Sequence, residues 1–166
     1  MGSFLGIVLL GLVAILKSTL MPHLRVVGGA PDLMLLMVAS WALLAPHTEA
    51  FFWAFVGGLA QDLLSGVPLG TSSLGLLLVA LLANMLQAQL YRSNVVIPLF
   101  VTLVGSVVFY LVVMGVLTLT GHAVDWIYNL VNITAPTVIL NLILALPVFA
   151  VIRYLYERLN PRIEAL

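Results

Sequence analysis

Two aspartates, Asp32 and Asp62, are the side chains of this sequence best suited to chemistry in an apolar setting. Asp62 lies well inside an apolar run, and Asp32 follows Pro31 at the start of another. An aspartyl hydrolase within a membrane needs two facing carboxylates, because one must be protonated while the other is ionised. The two aspartates could lie near the same side of a membrane, but no other residue supports catalysis. We therefore predict that the chain is not an enzyme.

Histidine chemistry is not favoured either. A serine-type hydrolase within a membrane needs a histidine at bilayer depth, and a zinc site needs about four convergent ligands. The three histidines fall in separate connections, with no paired ligand spacing: His23, His47 and His122. The sequence contains no cysteine, so thiolate metal sites are excluded as well. We predict neither a metal nor a cofactor.

Asp62 shares one face of its predicted helix with Ala54 and Gly58, because residues four apart stack on the same side. Small residues let a second helix approach closely, and the aspartate can then hydrogen-bond across the contact. This pattern has two interpretations: a buried structural bond between helices, which we favour, or a proton or ligand site. We expect the facing helix to be the one that carries Asn84 and Gln87.

Polar side chains also recur at three- or four-residue spacing in the last three apolar segments. These stripes are Ala80, Asn84 and Gln87/Ala88; Thr102, Ser106 and Tyr110; and Thr134, Thr137 and Asn141. Polar residues of this kind link transmembrane helices at about 0.6 kcal/mol each on average. We therefore predict that Asn84, Gln87 and Asn141 make polar contacts between helices and do not form a substrate path.

The composition indicates that this chain folds in a lipid membrane and not in water. Apolar residues make up 63% of the sequence and charged residues only 7%, and the mean hydropathy is +1.24. Soluble domains carry about a quarter charged residues. Six basic residues balance six acidic ones, so no basic surface exists for nucleic acid. No segment outside the apolar runs is long enough to form a domain, and we predict a single transmembrane domain over residues 1–166.

The hydropathy pattern predicts an all-α integral membrane protein, a bundle of six transmembrane helices. A span needs about 20 mostly apolar residues, and thinning or tilt accommodates shorter or longer ones. The predicted spans are residues 4–21, 31–45, 50–64, 71–91, 95–119 and 136–156. The second and third spans are short and closely spaced, so a re-entrant hairpin is an alternative to two full crossings.

The positions of the basic residues predict the orientation, because Lys and Arg accumulate on the cytoplasmic side. With the N-terminus inside, four arginines are cytoplasmic: Arg92, Arg153, Arg158 and Arg162. Only Lys17 and Arg25 are then outside. We predict that both termini are cytoplasmic and that the chain is in contact with lipid.

The connection before the sixth span also shows helical spacing, with Val124, Ile127 and Leu130/Val131 on one side and Trp126 and Tyr128 among them. Aromatic residues favour the headgroup region of a bilayer. This pattern predicts a short helix that lies in the membrane interface.

Two stretches together resemble the bacterial rod shape-determining protein MreD family. The first is Pro31-Asp32-Leu33-Met34-Leu35-Leu36, and the second runs from Phe51 through Gly57-Gly58 and Asp62-Leu63 to Pro68-Leu69-Gly70. In that family a Pro-Asp opens one span, and a glycine-rich helix ends in Asp-Leu before a Pro-Leu-Gly turn. The matching motif positions are Pro31, Asp32, Gly58, Asp62, Pro68 and Gly70. The resemblance carries over no catalytic residue.

The resemblance implies a non-enzymatic subunit in the bacterial inner (cytoplasmic) membrane. It would belong to the cell-elongation complex that builds the side-wall peptidoglycan of rod-shaped cells. It implies binding to the membrane-anchored scaffold MreC. RodA and a class B penicillin-binding protein would belong to the same larger complex, with the cytoskeletal MreB linked indirectly. The implied fold is similar to the substrate-binding subunits of energy-coupling-factor transporters, which are six-helix bundles.

Such a transporter subunit is the alternative function. Those subunits commonly carry an Ala-xxx-Ala contact motif on the first helix, whereas the first span here contains only Ala14. A vitamin site would also need converging aromatic and polar groups, for which Trp126, Tyr128 and Asn129 are available without being specific. Co-purification of a vitamin or of a scaffold protein would distinguish the two functions.

Overall fold

The computed structural model describes residues 28–90 and 95–159, together with positions 10, 11, 13, 15 and 19. Within these residues the chain is helical apart from short connections, and it contains no β-strand. This confirms the all-α prediction for the part of the chain described. Leu10 belongs to the helical positions near the N-terminus and is buried in the core. Most of the predicted first span lies outside the described residues.

Five helices follow along the chain and correspond in order to the second to sixth predicted spans. They are α1, Leu33–Leu44; α2, His47–Ser65; α3, Thr71–Leu90; α4, Val96–Leu119; and α5, Trp126–Leu159. Helix α5 combines Trp126–Asn129, a π-helical turn Leu130–Thr134, and Ala135–Leu159.

Helix α1 is the centre of the bundle. It contacts each of α2, α3, α4 and α5, and every residue from Met34 to Leu43 is buried. Its sequence is apolar around the whole circumference, and a helix of that kind must be surrounded by others. It ends where Ala45 becomes extended (ψ 159°), because the residue before a proline disfavours helical geometry. The bundle is therefore built around a helix of only 12 residues.

Helices that follow one another along the chain alternate in direction. Gly75 packs against Phe109 while Gly105 packs against Val79, so α3 and α4 are antiparallel. We call the side of the bundle with residues 66–70 and 120–125 the Gly66 end, and the side with residues 45–46 the Pro46 end. Helices α3 and α5 run from the Gly66 end to the Pro46 end, and α2 and α4 run back. The shorter α1 points the same way as α3 and α5 and ends at the Pro46 end.

Helix α5 begins ten residues earlier than the predicted sixth span. The separate interfacial helix was a wrong prediction, because the Trp126–Asn129 turn continues directly into the span. Pro136 has no N–H and would interrupt the hydrogen-bond ladder. The chain accommodates it with the π-helical turn, in which Ala135 N–H donates to the Leu130 carbonyl. Asp125 caps the start, since its carboxylate accepts a 3.0 Å bond from Tyr128 N–H.

Two of the described helices, α4 and α5, are long and apolar enough to cross a membrane. The apolar segments Leu33–Leu44 and Thr71–Gln87 are shorter than that length. The number of crossings therefore stays a prediction, and so does the single-domain boundary.

Candidate functional site: two buried aspartates that cap helices

Asp62 lies in the last turn of α2, is buried, and binds the beginning of α3. Its Oδ2 accepts a 2.8 Å hydrogen bond from Gly70 N–H, and Ser72 N–H donates to Oδ1 at 3.0 Å and to Oδ2 at 3.2 Å. The first backbone N–H groups of a helix have no partner within the helix and carry partial positive charge. The carboxylate of α2 thus caps α3 across the turn.

The turn between α2 and α3 has the residues that this geometry requires. Gly66 ends α2 in the left-handed conformation (φ 69°), and Gly70 has φ 93°. Glycine adopts positive φ at no steric cost. The Pro68 carbonyl accepts bonds from Thr71 N–H at 3.2 Å and from Thr71 Oγ1 at 2.6 Å. The motif positions Pro68 and Gly70 therefore return the chain so that the start of α3 meets Asp62.

Gly58, one turn before Asp62, lies at a very close contact between α2 and α3. A Cβ at this position would overlap the Ser73 backbone and lie 2.6 Å from Ser73 Oγ. The Ser73 hydroxyl donates a 3.1 Å bond to the Phe55 carbonyl across the same contact. Only glycine permits this approach, which brings Asp62 within hydrogen-bond distance of α3.

From the sequence we expected Asp62 to pair with Asn84 or Gln87. The structure shows that it does not. Asp62 does face α3, but at its first turn, where the partners are backbone N–H groups. Gln87 lies at the Pro46 end and donates a 3.1 Å bond to the Ala45 carbonyl, at the end of α1. Asn84 is buried, and neither polar atom of its side chain has a hydrogen-bond partner among the described residues.

Asp32 is the N-cap of α1 and is the more buried of the two aspartates, at 1% exposure. Its Oδ1 accepts a 3.1 Å bond from Leu35 N–H, and the Tyr110 hydroxyl approaches Oδ2 at 3.4 Å. Its backbone N–H donates to Asn141 Oδ1 at 2.7 Å. Asp32 therefore joins the start of α1 to both α4 and α5.

Asn141 completes this second cluster from the middle of α5. Its Nδ2 donates a 3.0 Å bond to Ser106 Oγ, so one amide connects α1, α4 and α5. Gly29 packs against Thr137, since a Cβ there would be 2.7 Å from Thr137 N. We call Asp32, Ser106, Tyr110, Thr137 and Asn141 the α1 anchor.

In the hydrogen bonds given above, no partner of Asp32 is also a partner of Asp62. In the described residues no group of three or more His, Asp and Glu side chains could hold a metal ion. Ser106, Tyr110 and Thr137 belong to polar stripes visible in the sequence. The sequence did not show that they lie in one cluster with Asp32, because helical spacing shows which residues share a face, not which faces meet.

Taken together, the described residues form an apolar helical bundle with buried aspartate caps, and two of its helices are long and apolar enough to cross a membrane. The family model described as rod shape-determining protein MreD matches residues 1–159. No curated protein and no solved structure matched the chain. The match confirms the resemblance seen in the Pro31-Asp32 and Asp62 stretches and gives no support to a vitamin transporter subunit. The chain belongs to the MreD family of bacterial membrane proteins that determine rod shape.

Replacement of Asp62 tests its role as a cap. We expect Asp62→Asn to retain part of the stability, because its amide oxygen can still accept from Gly70 or Ser72. Asp62→Leu should lose more, about 1–3 kcal/mol for each buried N–H group left unpaired. The measurement is the apparent melting temperature of the purified protein in detergent. The matched control is Asp125→Leu, which removes an exposed cap where water can replace the carboxylate.

Gly58→Leu extends the same series, with Gly115→Leu as control, since a Cβ at Gly115 would meet nothing within 4 Å. We expect Gly58→Leu to be at least as damaging as Asp62→Leu, because the side chain forces α2 and α3 apart. Equal melting temperatures for Asp62→Leu and Asp125→Leu would contradict the capping role. Equal loss of cell-shape function in Asp62→Asn and Asp62→Leu, at normal abundance, would instead indicate a proton-linked aspartate.

Asn141→Ala tests the α1 anchor. It leaves the Asp32 N–H and the Ser106 hydroxyl without their Asn141 bonds in a buried setting, which we expect to cost about 1–3 kcal/mol for the backbone donor. Asn132→Ala is the control, because the Asn132 side chain is exposed and bonds only to the Tyr128 carbonyl of its own helix. If neither variant lowers the melting temperature, Asn141 does not hold α1 in place.

Proposed function

We propose that the chain is a non-enzymatic membrane subunit of the cell-elongation complex and that it binds the scaffold MreC. The observation that carries this proposal is the family match over residues 1–159, since the family is one of rod shape-determining proteins. The geometry supports it in a second way. Asp32 and Asp62 both hold helix ends in place, which suits a rigid assembly subunit better than a catalyst.

Through this subunit the complex would support side-wall peptidoglycan synthesis. RodA and a class B penicillin-binding protein are the proposed further members, with MreB connected through the scaffold. We propose six crossings of the inner membrane with both termini in the cytoplasm. Supporting this orientation, Arg153 and Arg158 lie together at the Pro46 end of α5, exposed on the side where an even number of crossings places the C-terminus.

Reporter fusions test this topology. We expect fusions at the N-terminus and after Leu166 to report the cytoplasm, and fusions after Arg25, Gly66 and Asp125 to report the outer side. The reason is the excess of arginine on the side of the two termini. A cytoplasmic signal after Gly66 would contradict six crossings and favour a re-entrant hairpin formed by the second and third spans.

Depletion in a rod-shaped host tests the assembly function. Cells that lose the protein should become round, with the scaffold no longer confined to the side wall, because the scaffold has lost its membrane partner. Re-expression of the wild-type chain should restore rods and should recover the scaffold when the chain is purified from detergent extracts. Normal rods after complete depletion, or turnover of a substrate by the purified chain alone, would reject the proposal.

A further inference from the structure

The exposed face of α5 carries an uninterrupted apolar band. From Ile133 to Val151 every exposed residue of this helix is apolar. The band is bounded by Asn132 at the Gly66 end and by Arg153 at the Pro46 end, both of which are exposed. These two residues are separated by about 32 Å along a helix that rises 1.5 Å per residue. The hydrocarbon core of a bilayer is about 30 Å thick.

The exposed face of α4 also carries an apolar band, and its length along the helix is close to that on α5. Its exposed residues from Val95 to Leu111 are all apolar, and the next exposed residue is Thr118. In the sequence the polar residues Arg92-Ser93-Asn94 directly precede Val95, so the apolar run begins there. The separation of Val95 and Thr118 is about 34 Å by the same rise per residue. The two helices are antiparallel neighbours in contact. Their apolar faces therefore cover one layer of the same thickness, and the occupant that this thickness fits is the hydrocarbon of a bilayer.

The middle of this layer can be located on both helices. On α5 the midpoint between Asn132 and Arg153 falls between Leu142 and Ile143, and on α4 the midpoint between Val95 and Thr118 falls between Ser106 and Val107. The buried polar residues nearest to these midpoints are Asn141 and Ser106. These two residues are hydrogen-bonded to each other at 3.0 Å. Two bands read separately thus give the same depth. Asp32 lies at that depth too, because its N–H donates to Asn141 at 2.7 Å.

We infer that lipid chains cover the exposed faces of α4 and α5, that the α1 anchor lies at the bilayer midplane, and that α1 is a half-length helix that begins there. With 12 residues α1 is about 18 Å long, close to half of a bilayer and its interface. Its other end, at Ala45, lies beside Gln87 near the last turn of α3. Helix α1 then accounts for half of the second crossing, and the non-helical residues 28–32 lead to it along α5.

This placement explains why α1 needs its anchor. A chain that begins a helix at the midplane must bring non-helical backbone into the hydrocarbon layer. Such backbone is tolerated only where protein covers it and pairs its polar groups. Gly29 packs closely against Thr137, and the Asp32 N–H is bonded to Asn141, so α5 covers this approach. The carboxylate of Asp32 caps the buried helix start in place of water.

Depth measurements with spin labels test the inference directly. The chain contains no cysteine, so single-cysteine variants need no background removal. Suitable exposed sites along α5 are Ile127, Ile139, Ile143 and Val151. The full chain is reconstituted in vesicles of phosphatidylethanolamine and phosphatidylglycerol, and collision with oxygen is compared with collision with a water-soluble nickel chelate.

We expect the greatest oxygen-to-nickel ratio at Ile139 and Ile143, a lower ratio at Val151, and nickel access at Ile127. A maximum at Val151 or Ile127 would overturn the midplane assignment. Low access to both reagents at Ile139 and Ile143 would mean that protein, such as a second copy of this chain, covers the band, and would overturn the assignment to lipid.

A charge substitution gives an independent readout. We expect Ile143→Arg to lower membrane abundance at least about tenfold, because a charge at the bilayer centre opposes insertion. Ile127→Arg, at a more exposed position of the same helix outside the band, should remain within about twofold of wild type. Equal abundance of the two variants would contradict the inference, while leaving the proposed binding to MreC unaffected.

Discussion

The structure depends on one constraint: backbone groups at helix ends must find partners where there is no water. Each helix leaves several N–H groups unpaired at its start and several carbonyls unpaired at its end. In hydrocarbon each unpaired group costs several kcal/mol. Helices α1 and α3 both begin in buried surroundings, and at each start an aspartate carboxylate accepts hydrogen bonds from the unpaired N–H groups. Asp32 caps α1 from the position directly before that helix, whereas Asp62 caps α3 from the last turn of α2.

The same constraint explains the other buried polar residues. Gln87 supplies a donor for the Ala45 carbonyl, where α1 ends. Asn141 supplies an acceptor for the Asp32 N–H and a donor for Ser106. Because these side chains are already engaged in holding helix ends, they fix the position of the central helix. A bundle held in this way can present a constant surface to its partners, which suits the assembly role that we propose.

Much of this could be predicted from the sequence, and the limits have physical causes. The repeat of Ala54, Gly58 and Asp62 correctly indicated a close helix contact with an aspartate in it, because small residues at four-residue spacing have that consequence. The partner of Asp62 was predicted wrongly, since Gly70 and Ser72 bind through backbone N–H groups, which every residue but proline possesses. A pattern of side-chain types therefore does not indicate which backbone N–H groups will bind a carboxylate.

Two other features could not be derived. Asp32 and Asn141 are 109 residues apart, and helical spacing alone does not say that their faces meet. The start of α5 was placed at Pro136, because a proline usually marks a helix start. The π-helical turn at Leu130–Thr134 instead carries the helix past the proline. The helix therefore reaches back to Trp126 and includes the residues that had suggested a separate interfacial helix.

Residue-resolved amide hydrogen exchange in lipid nanodiscs tests the central claim most directly. The first turn of a helix normally exchanges quickly, since its N–H groups are not bonded within the helix. If Asp62 pairs these groups in a buried setting, Gly70 and Ser72 should exchange as slowly as the interior of α3. Tyr128, capped by the exposed Asp125, should exchange much faster and serves as the internal reference. Exchange at Gly70 and Ser72 as fast as at Tyr128 would contradict the account.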